Sequence, residues 1–299
     1  MDLSIIIPTY NSRCCLPECL RSIPAHAGNL SPQIFVVDNA STDGTADQPA
    51  LASSPVHYIR NPRNIGFSRA CNQGIAASSG EFLLLLNPDT ALLSGTLEEM
   101  VRYLRTHPDV GILGAKVLNR DGTLQLACRR SIPTLRSAFF RLSGLSRLFP
   151  RSRTFGAYNL TFRDENAAMD VEAVSGAFLL IRRELVERIG GLDERFFMFG
   201  EDLDWCLRAR QAGSRVLYWP QIVIRHLKGE SIRSRPFASL YHFHHAMWLF
   251  YRKHYYDQNA RWENWAAFVG IFAAAAVHLT CRAVVCPWRR RRRDVKTDG

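Results

Sequence analysis

Asp89 closes the stretch Gly80-Glu81-Phe82-Leu83-Leu84-Leu85-Leu86-Asn87-Pro88-Asp89-Thr90, where a short apolar run breaks into an acidic turn. A carboxylate there suits a divalent ion, because hard cations take oxygen ligands and open α/β sheets bind ligands beyond the C-terminal ends of their strands. An Asx-Pro-Asp turn often does no more than cap the helix that follows. Here that helix has its own capping pattern, Thr96-Leu97-Glu98-Glu99, which leaves Asp89 available for Mg2+ or Mn2+. A second acidic group, Gly200-Glu201-Asp202-Leu203-Asp204-Trp205-Cys206-Leu207-Arg208, opens a helical pattern. The helix dipole favours acids in a first turn, so stabilisation alone would account for them. Three acids crowded together should also raise at least one pKa, and such a carboxylate is a candidate general base. Asp202 is the expected base, with Glu201, Asp204 and Trp205 either near an incoming acceptor or supporting the residues that meet it. His226 begins His226-Leu227-Lys228-Gly229-Glu230-Ser231; a single histidine is more often structural than a ligand and carries no assignment by itself.

Three other groups suit a nucleotide. Pro8-Thr9-Tyr10-Asn11 follows the first apolar run, and its aromatic ring and amide could meet a base and ribose. Asp38, in Asp38-Asn39-Ala40-Ser41-Thr42-Asp43-Gly44-Thr45, could accept a hydrogen bond from a base imide N–H, while Asp43 shapes the turn. In Asn64-Ile65-Gly66-Phe67-Ser68-Arg69-Ala70-Cys71-Asn72-Gln73-Gly74, Gly66 permits close backbone approach and the helix behind it favours phosphate. Each of the three could equally be an ordinary turn.

The elements that must position these groups alternate. Leu3–Ile7, Gln33–Val37, Val56–Arg60, Phe82–Leu86 and Val110–Val117 read as strands. Helical spacing is expected from Ser12, as a cap, to Ile23, within Arg63–Ala77, and over Thr96–Thr106. This alternation is that of a doubly wound, Rossmann-like, mostly parallel sheet flanked by helices. From Arg120 to Arg163 periodicity fails, which predicts a long basic excursion, partly mobile. Order resumes with a strand over Ala173–Ile181 that includes Gly176, helices over Arg183–Ile189 and Glu201–Gln211, and extended stretches over Val216–Trp219 and Val223–His226.

With 299 residues, 47% of them hydrophobic, the chain can hold a large domain and an appendage. The net charge of +11 points to an anionic partner. Eight cysteines without CxxC spacing suit reduced thiols in the cytosol, and no signal peptide is expected ahead of Leu3. The part from residue 236 to 299 changes character. Phe237–Tyr256 is crowded with aromatics, and Trp265–Cys286 is nearly apolar before the arginines of Arg289–Arg293. Charge on one side of the membrane favours a helix lying in the cytoplasmic membrane surface over one that spans it. Because the arginines adjoin an apolar helix, the expected anionic partner is a membrane surface and not a nucleic acid.

Taken in order, Ile5–Asn11, Val36–Thr45, Asn64–Gly74, Asn87-Pro88-Asp89, Val174–Ile181 and Gly190–Arg208 resemble the family 2 inverting glycosyltransferases of GT-A fold, in their rhamnosyltransferase-like branch. The resemblance covers roughly residues 3–235. It implies that Pro8, Thr9, Tyr10 and Asp38 hold the nucleotide, and it places Asn11, Asn64, Gly66, Asn72, Asn87 and Gly176 in the nucleotide-sugar site. It further implies Asp89 as metal ligand, His226 as the residue completing the metal site, and Asp202 as base. The donor implied is dTDP-rhamnose first and UDP-sugars next; basic Arg120–Arg163 and the aromatic C-terminal helices are expected to hold a lipid-linked glycan acceptor of cell-surface polysaccharide synthesis at the membrane. One departure matters: Asn87-Pro88-Asp89 has one carboxylate where many relatives have Asp-x-Asp, which predicts weak ion binding without the nucleotide sugar. A nucleotidyltransferase would need a glycine-rich basic loop after the first strand, and a dinucleotide oxidoreductase G-x-G-x-x-G; neither is present. A silent scaffold of this fold would have little reason to keep Asp38, Asp89 and Asp202. The pattern sets no oligomeric state.

Overall fold

In the computed structural model, which describes residues 1–52, 55–227 and 236–294, the apolar runs become the centre of one sheet. Its strands are β1 (Leu3–Thr9), β2 (Gln33–Asp38), β3 (Val56–Arg60), β4 (Phe82–Leu86), β5 (Thr90–Ser94), β6 (Val110–Leu118), β8 (Met169–Val171), β10 (Phe178–Arg182) and β11 (Arg215–His226). A two-stranded sheet pairs β7 (Arg129–Arg130) with β9 (Ala173–Val174). The large sheet runs β3-β2-β1-β4-β10-β6-β11-β5, with β8 on β11. β1 and β4 are buried at every residue, as strands covered on both faces must be. The first half is parallel, with Ile5 opposite both Ile34 and Leu84. β10 then runs antiparallel to β4, with Phe178 opposite Leu86. Antiparallel pairing brings the start of one strand beside the end of its neighbour. The turn before β10 therefore lies against Asn87.

The helices follow the amphipathic spacing. α2 (Phe67–Ala77) buries Ala70, Cys71 and Ile75, and α3 (Leu97–Thr106) has the expected Thr96/Glu99 capping box. α6 (Arg183–Ile189) and α7 (Glu201–Gln211) coincide with the sequence expectation. α1 (Leu16–Ala25) starts later than expected. Ser12 is not its cap; the Ser12 carbonyl accepts from the N–H groups of Cys15 and Leu16, and Pro17 takes the first turn.

Three regions differ from the sequence reading. β5, hidden in a half-exposed segment, pairs antiparallel with β11 and sets His226 opposite Thr90. The two extended stretches near the end of the domain are one strand, β11, whose register shifts between Trp219 and Val223, around Pro220. Gly176 is not inside a strand: β9 ends at Val174, β10 begins at Phe178, and Gly176 lies in the turn between. The basic segment is not without structure either. It contains β7, α4 (Leu135–Leu142, capped by Thr134) and α5 (Leu145–Leu148).

The chain divides into two compact units, Met1–Phe197 with Glu201–Ser231, and Met198–Gly200 with Ile232–Gly299. In the second, α8 (Pro236–His254) and α9 (Arg261–Asp294) pack antiparallel. Trp248 meets Phe268 edge-on, Tyr251 Oη donates to Asn264 Oδ1, and His244 Nε2 lies 3.1 Å from His278 Nδ1. Trp262 and Trp265 are each 70% exposed, and Phe272 and Val277 are exposed with them, so α9 carries apolar side chains that its own unit does not cover. Among the described residues no helix is long and apolar enough to cross a membrane. Residues 228–235, where the family resemblance ends, lie outside the described residues.

Candidate active site

The acidic turn after β4 is built by its neighbours. The Asn87 N–H donates to the Ala177 carbonyl at 3.0 Å, and the Thr90 hydroxyl donates to the Asn87 carbonyl. Cys19 of α1 packs beneath, its thiol donating to the same carbonyl, and burial pushes that thiol up to about 12, so it stays protonated. The β5–β11 pairing continues one step further, with the Leu227 N–H donating to the Asp89 carbonyl. This sets His226 Nε2 3.1 Å from Asp89 Oδ1, both side chains only about 10% exposed. Asn87 Nδ2 lies 3.4 Å from the same ring nitrogen, and Asn87 Oδ1 is buried without a partner.

This group fits a divalent ion. Two ligands at right angles on an octahedral ion stand ~3 Å apart, close to the Asp89–His226 spacing. The unpartnered Asn87 oxygen adds a third acceptor at the same turn. Among the described residues there is no group of three or more His, Cys, Asp or Glu that could hold an ion. Asp89 and His226 would therefore need ligands from outside the chain, such as water and phosphate oxygens.

The second acidic group adjoins the first through the turn before β10. The Gly176 N–H donates to Asp202 Oδ2 at 3.0 Å, and the next residue, Ala177, receives the Asn87 N–H. Arg130 Nη2 donates to the same Oδ2 at 2.6 Å and to the Val174 carbonyl, with both charged side chains mostly buried. A methyl group on Gly176 would stand 3.4 Å from Asp202 Cβ and 3.7 Å from Glu201 Oε1, so the open face of this glycine looks onto both acids. Burial first, and then the charge of Asp202, push Glu201 up to about 8. Its Oε2 is buried without a partner. The repulsion expected among the acids thus falls on Glu201, while the charge of Asp202 is met by Arg130.

A pH dependence of stability follows from Glu201. Between its ordinary value of 4.5 and about 8, the folded chain keeps a proton that the unfolded chain has released. Stability contributed by that proton is complete below 4.5 and is lost as pH rises through the folded value. Glu201→Gln is expected to remove a slope worth on the order of a few kcal/mol between acid and mildly alkaline pH. Urea unfolding of both proteins across that range checks it; equal slopes would show Glu201 to be ordinary.

Asp204 and Trp205 lie behind Asp202, where they can support the site residues and not touch an acceptor. Both are fully buried: Asp204 accepts from Arg208 one helical turn on, and Trp205 Nε1 donates to the Gly190 carbonyl. Gly66 is also corrected. Its φ of +92° needs glycine, but an added Cβ would strike Phe197 at 2.8 Å, and the Phe67 N–H is taken by the Phe197 carbonyl. The close approach there is by the chain's own backbone and not by a ligand. Asn72 likewise faces inward, its amide exchanging hydrogen bonds with both backbone groups of Leu192. Asn64 holds the same loop, accepting from the Gly66 N–H.

The first three strands present the remaining residues at their C-terminal ends. Pro8 and Thr9 end β1, Thr9 Oγ1 is buried without a partner, and Tyr10 and Asn11 form the turn. Asn11 Oδ1 accepts from the Thr42 N–H, joining this turn to the one after β2. Asp38 is fully buried, and accepts from the Ser41 N–H, the Ser41 hydroxyl and, at 2.8 Å, Tyr58. Asp43 shapes the turn as expected, accepting from Thr45 and from the Arg13 N–H. Asn39, Asn61 and Gln73 form an unforeseen amide chain beside them. Arg130 and Gln125 were also missed. Arg130 looked like one more charge in a basic stretch, but Asp121-Gly122 is a hairpin-turn signal that could have located Gln125.

The family model for glycosyl transferase family 2 matches residues 4–190, ending before α7. N-acetylglucosaminyl-diphospho-decaprenol L-rhamnosyltransferase of Mycobacterium tuberculosis is 27% identical over 259 residues, 83% of each chain. Low-salt glycan biosynthesis hexosyltransferase Agl10 of Haloferax volcanii is 28% identical over 214 residues, 70% of this chain and 62% of its own. In fold, the mannosyltransferase PcManGT from Pyrobaculum calidifontis, solved with GDP-Man and Mn2+, superposes with a TM-score of 0.56 at 18% identity, over 96% of this chain and 82% of that one.

Proposed function

On the premise that this chain belongs to glycosyl transferase family 2, we propose that it transfers rhamnose from dTDP-rhamnose, with inversion, to a lipid-linked glycan acceptor. The observation that carries the site reading is the turn Ser175–Ala177. It ties the Asp89–His226 pair to the Asp202 carboxylate through adjacent residues, Ala177 on Asn87 and Gly176 on Asp202. A cation-binding pair next to a held carboxylate is what a single displacement from a nucleotide sugar requires. The choice of sugar and carrier is supported by likeness to the mycobacterial rhamnosyltransferase along most of both chains.

In this mechanism Asp202 takes the proton of the acceptor hydroxyl as that oxygen bonds to the anomeric carbon. The bond from that carbon to the diphosphate oxygen breaks on the opposite face, which inverts the centre and needs no enzyme nucleophile. Arg130 and the Gly176 N–H hold Asp202 Oδ2, so the carboxylate keeps one orientation. Glu201, protonated at neutral pH, avoids placing a second negative charge beside it. Asp89 and His226 would hold Mg2+ or Mn2+, which when bound neutralises charge on the leaving diphosphate. Asp38 orders the turn after β2, and the edges of Tyr10 and Asn11 then meet the nucleoside.

The acceptor's lipid places the reaction at a membrane. The exposed Trp262, Trp265 and Phe272 of α9, with the arginines of Arg289–Arg293 further along it, suit peripheral attachment to the anionic cytoplasmic face. One experiment tests both parts. Nucleoside diphosphate release is measured across a panel of nucleotide sugars, with a lipid-pyrophosphate acceptor and a short soluble one, for the full chain and for a chain cut after Asn259. Release with dTDP-rhamnose on both acceptors, with the lipid acceptor alone suffering from truncation, is the expected result. A preference for UDP-sugars would replace the donor, and equal lipid activity after truncation would remove the membrane role of α9.

A further inference from the structure

Beyond the first ring of site residues, a chain of hydrogen bonds of fixed polarity ends on His226. It starts at Asp121, whose carboxylate accepts from the hydroxyl and N–H of Thr123, which lower its pKa. A charged carboxylate only accepts, so the Thr123 hydroxyl donates to it at 2.6 Å. The Thr123 oxygen must then accept from Asn119, whose Nδ2 lies 3.0 Å away and also reaches the Leu124 carbonyl. With its nitrogen so identified, Asn119 turns Oδ1 toward Gln125 and accepts from Gln125 Nε2 at 3.2 Å. Gln125 is only 4% exposed, and its Oε1 is left facing His226 Nδ1 at 2.9 Å. An amide oxygen only accepts, so the proton belongs on Nδ1. Placing it on Nε2 alone would set two acceptors against each other at Nδ1, or force both amides to flip against Thr123 and Leu124.

We propose that Gln125 is a positioning residue, holding His226 in its Nδ1–H form so that the Nε2 lone pair faces Asp89 Oδ1 and is ready for a cation. Two acceptors 3.1 Å apart repel unless a proton or a metal ion lies between them, so with Nδ1 committed to the hairpin Asn119–Gln125, Nε2 is the atom left to meet an ion beside Asp89. The inference rests on the reading of Asp89 and His226 as ligands. It adds why an isolated histidine on a strand end would bind an ion at all. An imidazole in water favours the proton on Nε2, which would block the ligand atom.

The test has two readouts. In the metal-free full chain, nitrogen NMR of labelled imidazoles, with the His226 signals assigned by their absence in His226→Gln, reports which ring nitrogen carries the proton. At about pH 8.5, where an ordinary imidazole is neutral, the expected result is Nδ1–H with Nε2 bare. Nε2–H, or protons on both, would overturn the proposal without any Gln125 variant. The second readout is Mn2+ affinity, followed by the paramagnetic resonance of free Mn2+, alone and with UDP or dTDP present. Gln125→Leu is expected to move the proton to Nε2 and weaken Mn2+ binding ~10–100-fold. Gln125→Glu, which still accepts from Nδ1, should keep the tautomer and bind Mn2+ more tightly than Gln125→Leu. An unchanged tautomer and affinity in Gln125→Leu would also overturn it. Failure of the unaltered chain to bind Mn2+ would instead remove the metal reading, while the tautomer result would still judge the role of Gln125.

Discussion

Asp202→Asn is expected to lower turnover ~10²–10⁴-fold while donor binding stays near that of the unaltered chain. The amide keeps the size of the carboxylate and one acceptor for the Gly176 N–H, but it cannot take a proton from the acceptor. The same change leaves the mostly buried guanidinium of Arg130 without its charge partner. Breaking such a pair costs up to about 3–5 kcal/mol, so lost activity must be separated from lost fold. Turnover per folded molecule, with the folded fraction taken from circular dichroism, makes that separation. Calorimetry with the nucleotide sugar supplies the donor affinity. Turnover within a few-fold of the unaltered chain would remove Asp202 from the role of base, and Glu201, buried and facing the same glycine, would be the next carboxylate to examine.

Asp89→Ala is expected to abolish Mg2+- or Mn2+-dependent donor binding, and His226→Ala to weaken it less. The two effects differ because Asp89 supplies the only carboxylate of the pair, and hard cations take oxygen before nitrogen. The fold should tolerate the change, since the hydrogen bond from Leu227 ends on the Asp89 backbone carbonyl and not on its side chain. Titration calorimetry of nucleoside diphosphate with and without metal decides the matter. Unchanged metal-dependent affinity in Asp89→Ala would mean that the acidic turn serves the loop and not an ion.

The alternation of buried strands and amphipathic helices was legible because its signals are local. Phe82–Leu86 is apolar throughout and stops at Pro88, and Thr96 with Glu99 caps α3 from three residues away. The turn carrying Asp89 and the helix start carrying Asp202 could be picked out the same way, by what kind of residue follows an apolar run or opens a helix. Partnership was another matter. β5 has too weak an alternation to stand out, yet its pairing with β11 is what brings His226 to Asp89. Arg130, 72 residues before Asp202, could not be told from its basic neighbours, because a guanidinium looks the same in sequence whether it meets water or a carboxylate. Gly66 and Asn72 were assigned to a ligand for the same reason. Glycine marks a close approach without saying what approaches, and an amide marks a hydrogen bond without naming its partner. Residue type and spacing thus determined the elements and the chemistry on offer. Only the tertiary structure decided which polar groups face one another, since burial makes each of them take whatever partner the packing brings within about 3 Å.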